Sequence, residues 1–221
     1  ACFDAGANLL LSCQDDRTEK SVKNLTRDME GINIYRCDVT DDDQIKHMFD
    51  NIKKDVGVLH GLVHSVAFAN NTSRNGYLLA QNISAYSLVA VTRYAKPLMS
   101  DDGGSIVTLT YLGGERAIPN YNVMGVAKAA LEASVRYLAV DLGPNNIRIN
   151  SISAGPIKTI SARGVRDFTT MLKQYEEKIP LEQPITQKEI GDTALFLLSS
   201  LSRGITGENI HVDGGYHVLG V

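Results

Sequence analysis

The chain has 221 residues, is 43% apolar and 21% charged, and carries a formal net charge of −3. Such a composition describes one globular domain able to bury roughly 70% of its unfolded surface without disulfide or metal staples. It argues against nucleic acid or an anionic membrane as partner, because no Lys/Arg cluster occurs, and against a spanning helix, because no apolar run reaches the required length of about 18 residues. Cys2, Cys13 and Cys37 are odd in number and form no Cys-x-x-Cys pair, which predicts reduced thiols in a cytoplasmic protein.

Residues 1–6, Ala-Cys-Phe-Asp-Ala-Gly, read as the last turn of a helix with Gly6 as its stop. A dinucleotide fold opens with a strand, a Gly-rich turn and such a helix, so about 25–30 residues are expected to precede Ala1. A strand follows over 8–12 and a helix over 18–29. The next strand covers 33–37 and ends at Asp38-Val39, after which Thr40 is expected to cap a helix whose first turn is Asp41, Asp42 and Asp43. That acid run reads as capping rather than a metal site. A fourth strand covers 61–67, and His60 before it and His64 within it lack the carboxylate partner a metal site would need, so no metal is expected. A long helix over 76–96 closes at Pro97.

The β-branched run 105–110 predicts a buried strand, and the apolar stripe Val123, Val126, Ala127, Ala130, Leu131, Ser134, Leu138 and Leu142 predicts a helix from about Tyr121 to Leu142. A strand over 147–153, a capping box Thr186–Glu189 before the last helix, and a closing strand 209–212 complete the chain. Strands alternate with helices throughout. The fold class is therefore α/β: a single-domain, Rossmann-like, doubly wound parallel sheet with helices on both faces, over residues 1–221.

Two tyrosines and a lysine stand out. Tyr111 ends a strand, Tyr121 opens a helix, and Lys128 lies seven residues later, two helical turns at 3.6 residues each. Tyr121 and Lys128 therefore share a face, where the ammonium is expected to lower the phenol pKa and the phenol to donate to a substrate oxygen that gains charge. At the end of the strand 8–12, Gln14 stands before Asp15, Asp16 and Arg17. A cofactor with a 2′-phosphate would want a cation directly at that point, so the residues lean towards NADH, with Arg17 keeping NADPH open. Gly155-Pro156 makes a tight turn after the strand 147–153, letting backbone groups reach a flat ring.

The text around these residues resembles the bacterial enoyl-[acyl-carrier-protein] reductases of the short-chain dehydrogenase/reductase superfamily. The matching segments are His64-Ser-Val-Ala-Phe-Ala, Asn82-Ile-Ser-Ala-Tyr-Ser, Thr110-Tyr-Leu-Gly-Gly-Glu, Tyr121-Asn-Val-Met-Gly-Val-Ala-Lys, Ile152-Ser-Ala-Gly-Pro-Ile-Lys-Thr and Thr206-Gly-Glu-Asn-Ile-His-Val-Asp-Gly-Gly. The superfamily's general Tyr-x3-Lys would place a tyrosine at 124, where this chain has Met124. Tyr-x6-Lys separates the enoyl reductases from the carbonyl reductases.

The resemblance implies reduction of the trans-2 double bond of an enoyl thioester held on acyl-carrier protein, in a cytoplasmic homotetramer using NADH. It implies Tyr111, Tyr121 and Lys128 as catalytic. It places Gln14, Asp38, Val39, Ser65, Val66, Ala67, Leu109, Lys128, Ala154, Gly155, Pro156, Ile157 and Thr159 on the cofactor. Phe68, Ala69, Tyr111, Met124, Ser161, Val165 and Phe168 would border substrate, with a lid over about 159–177 to which Met171 also adds apolar surface. The loop after Asn70 is about ten residues shorter than the resemblance implies, so loop residues are expected to be missing there. A carbonyl or β-ketoacyl reductase of the same superfamily and a non-catalytic NAD(H) sensor are the alternative readings.

Overall fold

The computed structural model describes residues 1–69, 71–99, 101–157 and 168–220, with backbone alone at Phe168. Six strands alternate with seven α-helices among these residues: β1 (Leu10–Cys13), α1 (Asp16–Leu25), β2 (Asn33–Arg36), α2 (Asp42–Asp55), β3 (Gly61–His64), α3 (Arg74–Gln81), α4 (Ser87–Ala95), β4 (Gly104–Thr110), α5 (Asn122–Leu142), β5 (Ile147–Ala154), α6 (Phe168–Glu176), α7 (Gln187–Leu198) and β6 (Asn209–Val212). All strand pairings are parallel.

One expectation needs refinement. The ladders form two sets among the described residues, β1–β2 and β3–β4–β5–β6, rather than one continuous sheet. A shared core joins them: Cys37 and Leu10 from the first set cluster with Phe49 and Ile52 of α2, Leu88 of α4, Ile106 of β4, Leu131 of α5 and Ile149 of β5. Strand alternation puts the next residue, Val107, on the opposite face with Ile152 and with Ile190, Ala194 and Leu197 of α7. Helices thus cover both faces, as a parallel sheet requires.

Helix starts differ from the sequence reading in informative ways. Residues 1–6 do form a closing turn: Gly6 has φ +84°, and the amides of Gly6 and Ala7 donate to the carbonyls of Phe3 and Cys2, satisfying the end of the turn. The helix expected over 18–29 runs from Asp16 to Leu25, with Asp15 and Thr18 forming a reciprocal cap. Asp41, not Thr40, caps α2, accepting from the amides of Asp43 and Gln44. A carboxylate is the better acceptor at a positive helix end, and Thr40 instead donates its amide and hydroxyl to Asp38.

The single helix expected over 76–96 starts earlier, at Arg74 under a Ser73 cap, and is interrupted by a π-helical turn, Asn82–Tyr86. A closely packed Gly76 allows the early start, since a Cβ there would lie 2.4 Å from the Asn71 carbonyl oxygen. The Thr186–Glu189 capping box forms as read.

Candidate active site

Parallel strands present their carboxyl ends to one edge, and ligands bind in the crevice beyond them. Every described residue assigned to the cofactor, apart from Lys128, lies at such an end: Gln14 after β1, Asp38 and Val39 after β2, Ser65–Ala67 after β3, Leu109 near the end of β4, and Ala154–Ile157 at β5. Gln14 Nε2 donates to Asp38 Oδ2 at 3.0 Å, tying the first two ends together. The Gln14 amide, with the amide and hydroxyl of Thr40, holds the Asp38 carboxyl below its usual range. These residues therefore fit a dinucleotide stretched across the strand ends.

The loop after β3 is pinned by the π-helical turn. Ser84 Oγ accepts from the Phe68 amide at 2.8 Å and donates to its carbonyl at 3.0 Å. Behind it, His64 is buried, with Nδ1 2.9 Å from Thr108 Oγ1 and Nε2 2.8 Å from Ser87 Oγ. Ser87 gives its own proton to the Ile83 carbonyl, so His64 donates from Nε2. Burial and the nearby Lys128 charge hold the imidazole at about 3, hence neutral. His64 thus bridges β4 to α4, and its sequence signal was a polar residue inside a strand.

The two tyrosines meet. Tyr111 leaves β4 in an extended conformation, Tyr121 precedes the first residue of α5, and their rings stand 5.0 Å apart at 72°. Tyr121 sits between Asn120 and Asn122, both in the left-handed region at φ 66° and 40°, which asparagine tolerates. Glycine makes the approach possible: a Cβ on Gly113 would lie 2.4 Å from Tyr121 Cδ1, and one on Gly125 would lie 2.8 Å from the Gly113 carbonyl oxygen. Gly113→Ala must therefore displace the Tyr121 ring. Turnover is expected to fall by about tenfold or more while the melting temperature drops by only a few degrees. Steady-state kinetics beside a thermal melt checks this, and unchanged kcat would refute the packing argument.

The electrostatics correct one expectation. Burial pushes the Tyr121 phenol above its ordinary range, with Tyr111 and Glu132 adding to the rise. Lys128 does not lower it. The lysine is buried and aims elsewhere, its Nζ donating to the Leu109 carbonyl at 2.8 Å, and burial pushes it down to about 8 against the opposing pull of Glu132. Desolvation dominates at Tyr121, so it is a neutral phenol with a proton to give. Tyr111 is pushed up to about 12, mainly by burial, and its hydroxyl lies 3.7 Å from Met171 Sδ on α6.

Of the residues expected on the substrate side, Met171 reaches Tyr111. Met124 lies in the first turn of α5, half-buried, and Phe68 is 46% exposed beside the pinned loop. Helix α6 docks through Tyr175, whose hydroxyl donates to the Asp213 carbonyl at 2.9 Å. A Cβ on Gly155 would lie 2.6 Å from that hydroxyl, which explains the glycine in the turn. Thr159, Ser161 and Val165 lie outside the described residues, as does the side chain of Phe168.

Comparison with known proteins bears on what this arrangement belongs to. The family model described as Enoyl-(Acyl carrier protein) reductase matches residues 1–217. An enoyl-[acyl-carrier-protein] reductase [NADH] of Bacillus cereus is 56% identical, over 98% of this chain and 89% of its own length. The chain belongs to the enoyl-[acyl-carrier-protein] reductase family. An enoyl-[acyl-carrier-protein] reductase [NADPH] of Staphylococcus aureus is 52% identical over 97% of this chain and 88% of its own. A crystal structure of the Bacillus cereus enoyl-acyl carrier protein reductase with NADP+ and indole naphthyridinone superposes with a TM-score of 0.95, at 55% identity, covering 99% of this chain and 89% of that one. The enoyl reductase fold is thus the doubly wound parallel architecture read from the sequence.

Proposed function

We infer that the chain is an NADH-dependent enoyl-[acyl-carrier-protein] reductase, saturating the trans-2 double bond of acyl thioesters during fatty acid elongation. The observation that carries this is the Tyr111–Tyr121 pair packed at the carboxyl ends of the strands, with Met124 where a carbonyl reductase would carry its tyrosine. Bound NADH supplies a hydride to the β-carbon, and a proton taken up at the α-carbon completes the reduction. Tyr121 donates to the thioester oxygen as that oxygen becomes an enolate, a role that requires the protonated phenol its burial secures. Lys128 holds the nicotinamide ribose hydroxyls. Gln14, Asp38, Val39, Ser65–Ala67, Leu109 and Ala154–Ile157 hold the rest of the cofactor, with Thr159 on the pyrophosphate. Tyr111 lines the acyl pocket with Met171, Met124, Phe68 and Ala69, under a lid over about 159–177 that also carries Ser161, Val165 and Phe168.

Loss of NADH absorbance with a crotonyl or trans-2-octenoyl thioester tests the reading, and NADPH is expected to be slower. Arg36, the cation at the end of β2, is engaged by Asp16 and Glu19, which leaves Arg17 to meet a 2′-phosphate. Turnover of a β-ketoacyl thioester instead would favour the carbonyl reductase, and nucleotide binding without turnover the sensor.

The same reading includes acyl-carrier protein as the substrate's carrier, a cytoplasmic location, residues 1–221 as one domain, and a homotetramer. Among the described residues no helix is long and apolar enough to cross a membrane. Tyr77 and Leu78 on α3 and Val126, Tyr137 and Val140 on α5 are exposed, although Val126 belongs to the stripe read as core. Subunit contact along these helices would cover them. Light scattering on eluting protein is expected to report four copies, and a monomer would refute the assembly.

A further inference from the structure

We propose that Glu132, one helical turn beyond Lys128, is the buried counter-ion that keeps the Lys128 ammonium charged and the Tyr121 phenol protonated, and that Thr110 holds it there as a positioning hydroxyl. The proposal rests on the reading of Tyr121 and Lys128 as the working pair. Lys128 and Glu132 are each 6% exposed on a helix face otherwise built of Ala127, Leu131, Val135 and Leu142. Buried charges are costly unless compensated; Lys128 and Glu132 stand at i and i+4 on that stripe without a direct ion pair, and the carboxylate supports the ammonium across space.

Consecutive residues at the end of β4 receive the two side chains. The Leu109 carbonyl accepts from Lys128 Nζ, and Thr110 Oγ1 donates to Glu132 Oε1 at 2.6 Å. The loop is shaped around the carboxylate, since a Cβ on Gly114 would lie 2.5 Å from Glu132 Oε1. Glu132 is neither a ligand of substrate nor of cofactor in this arrangement. It acts through its neighbours.

The groups facing the pair are accounted for on each packed element. From β3, His64 faces Lys128 and is neutral. Burial pushes the Glu132 carboxyl above its ordinary range and Glu115 of the loop after β4 adds to the rise, while the Thr110 hydroxyl, Arg136 of α5 and His211 of β6 oppose it and favour the charged form. The Glu132 charge supports the lysine against burial and raises the Tyr121 phenol. One carboxylate thereby stabilises the charge state each member needs: a cation at 128 and a neutral donor at 121.

The test follows Lys128 directly. In protein carrying 13C-labelled lysine, the Lys128 ε-carbon signal, assigned by its loss in Lys128→Met, is titrated with pH in wild type, Glu132→Gln and Glu132→Asp. Glu132→Gln keeps an acceptor for Thr110 and is expected to lower the midpoint by about one pH unit or more. Glu132→Asp is expected to recover most of that shift. With saturating NADH and thioester, the alkaline limb of kcat is expected to move by the same amount, which a purely structural role would not produce.

An unchanged midpoint in Glu132→Gln overturns the proposal. Where that variant fails to fold, Thr110→Val decides, with a smaller shift in the same direction expected and no shift overturning it. Full activity of Lys128→Met would refute the role of Lys128 while leaving the titration standing, so the two failures are distinguishable.

Discussion

Tyr121→Phe is expected to bind NADH as the parent does and to lose about 10²- to 10³-fold in kcat, the usual cost of removing one preorganised donor to a developing oxyanion. The ring stays packed in the variant, because its edge contact with Tyr111 and its fit over Gly113 depend on carbon atoms alone. What disappears is a hydroxyl whose proton burial makes hard to lose. The loss should appear in kcat and kcat/KM together, the signature of an interaction made in the transition state. Tyr111→Phe is the control. That hydroxyl is spent on a long contact to Met171 Sδ, so less than about a tenfold loss is expected. Fluorescence titration of NADH beside steady-state kinetics makes the comparison, and equal effects of the two substitutions would mean that the roles have been misassigned.

Lys128→Met is expected to abolish measurable turnover and to stabilise the protein. Loss of function follows from the missing ammonium. The gain in stability has a defined sign and pH window. Burial depresses Lys128 from its ordinary 10.5 to about 8 in the fold. Below pH 8 the folded protein therefore holds a charge that the unfolded chain carries at less cost. That penalty is fully present below the folded value and disappears as pH rises to the unfolded one. The difference of 10.5 − 8 = 2.5 units corresponds to an upper bound of roughly 3.4 kcal/mol. Part is returned, because the attraction that Glu132 exerts on the ammonium is lost with it. The variant should melt higher than the parent at pH 7 and converge with it above pH 10.5. A lower melting temperature at pH 7 would show that the lysine is structurally favourable, contrary to this account.

Much of this was legible in the chain. The β-branched run 105–110 marked a buried strand and the 3.6-period apolar stripe marked the helix after Tyr121, because burial is in part a local property of residue type and spacing. The seven-residue spacing of Tyr121 and Lys128 was legible, although the structure turns the ammonium to the Leu109 carbonyl, and Met124 stands where the superfamily's general pattern would put a tyrosine. Cap residues were legible to within a residue or two. Asp41 displaced Thr40 because the choice depends on which oxygen reaches the amides, and Thr40 was already engaged by Asp38.

Other features belong to the packed molecule. The apolar run from residue 76 to 96 carries no Pro or Gly at its break, yet a π-helical turn places Ser84 on the Phe68 backbone and Ser87 on His64. Nothing periodic announces a turn whose purpose is to meet another element. The sign of the Tyr121 shift is likewise tertiary: proximity along the helix suggested that Lys128 would lower it, and desolvation by surrounding atoms reversed that. Glu132 reads along the chain as one charge among many, and only the packed molecule shows it held by the Thr110 hydroxyl and the bare Gly114 at the β4 end that also receives Lys128. Spacing along the backbone thus determined the elements and the candidate residue types, since those follow from local geometry. Burial decided which of them are charged, because desolvation depends on every atom around a group and not on its neighbours in sequence.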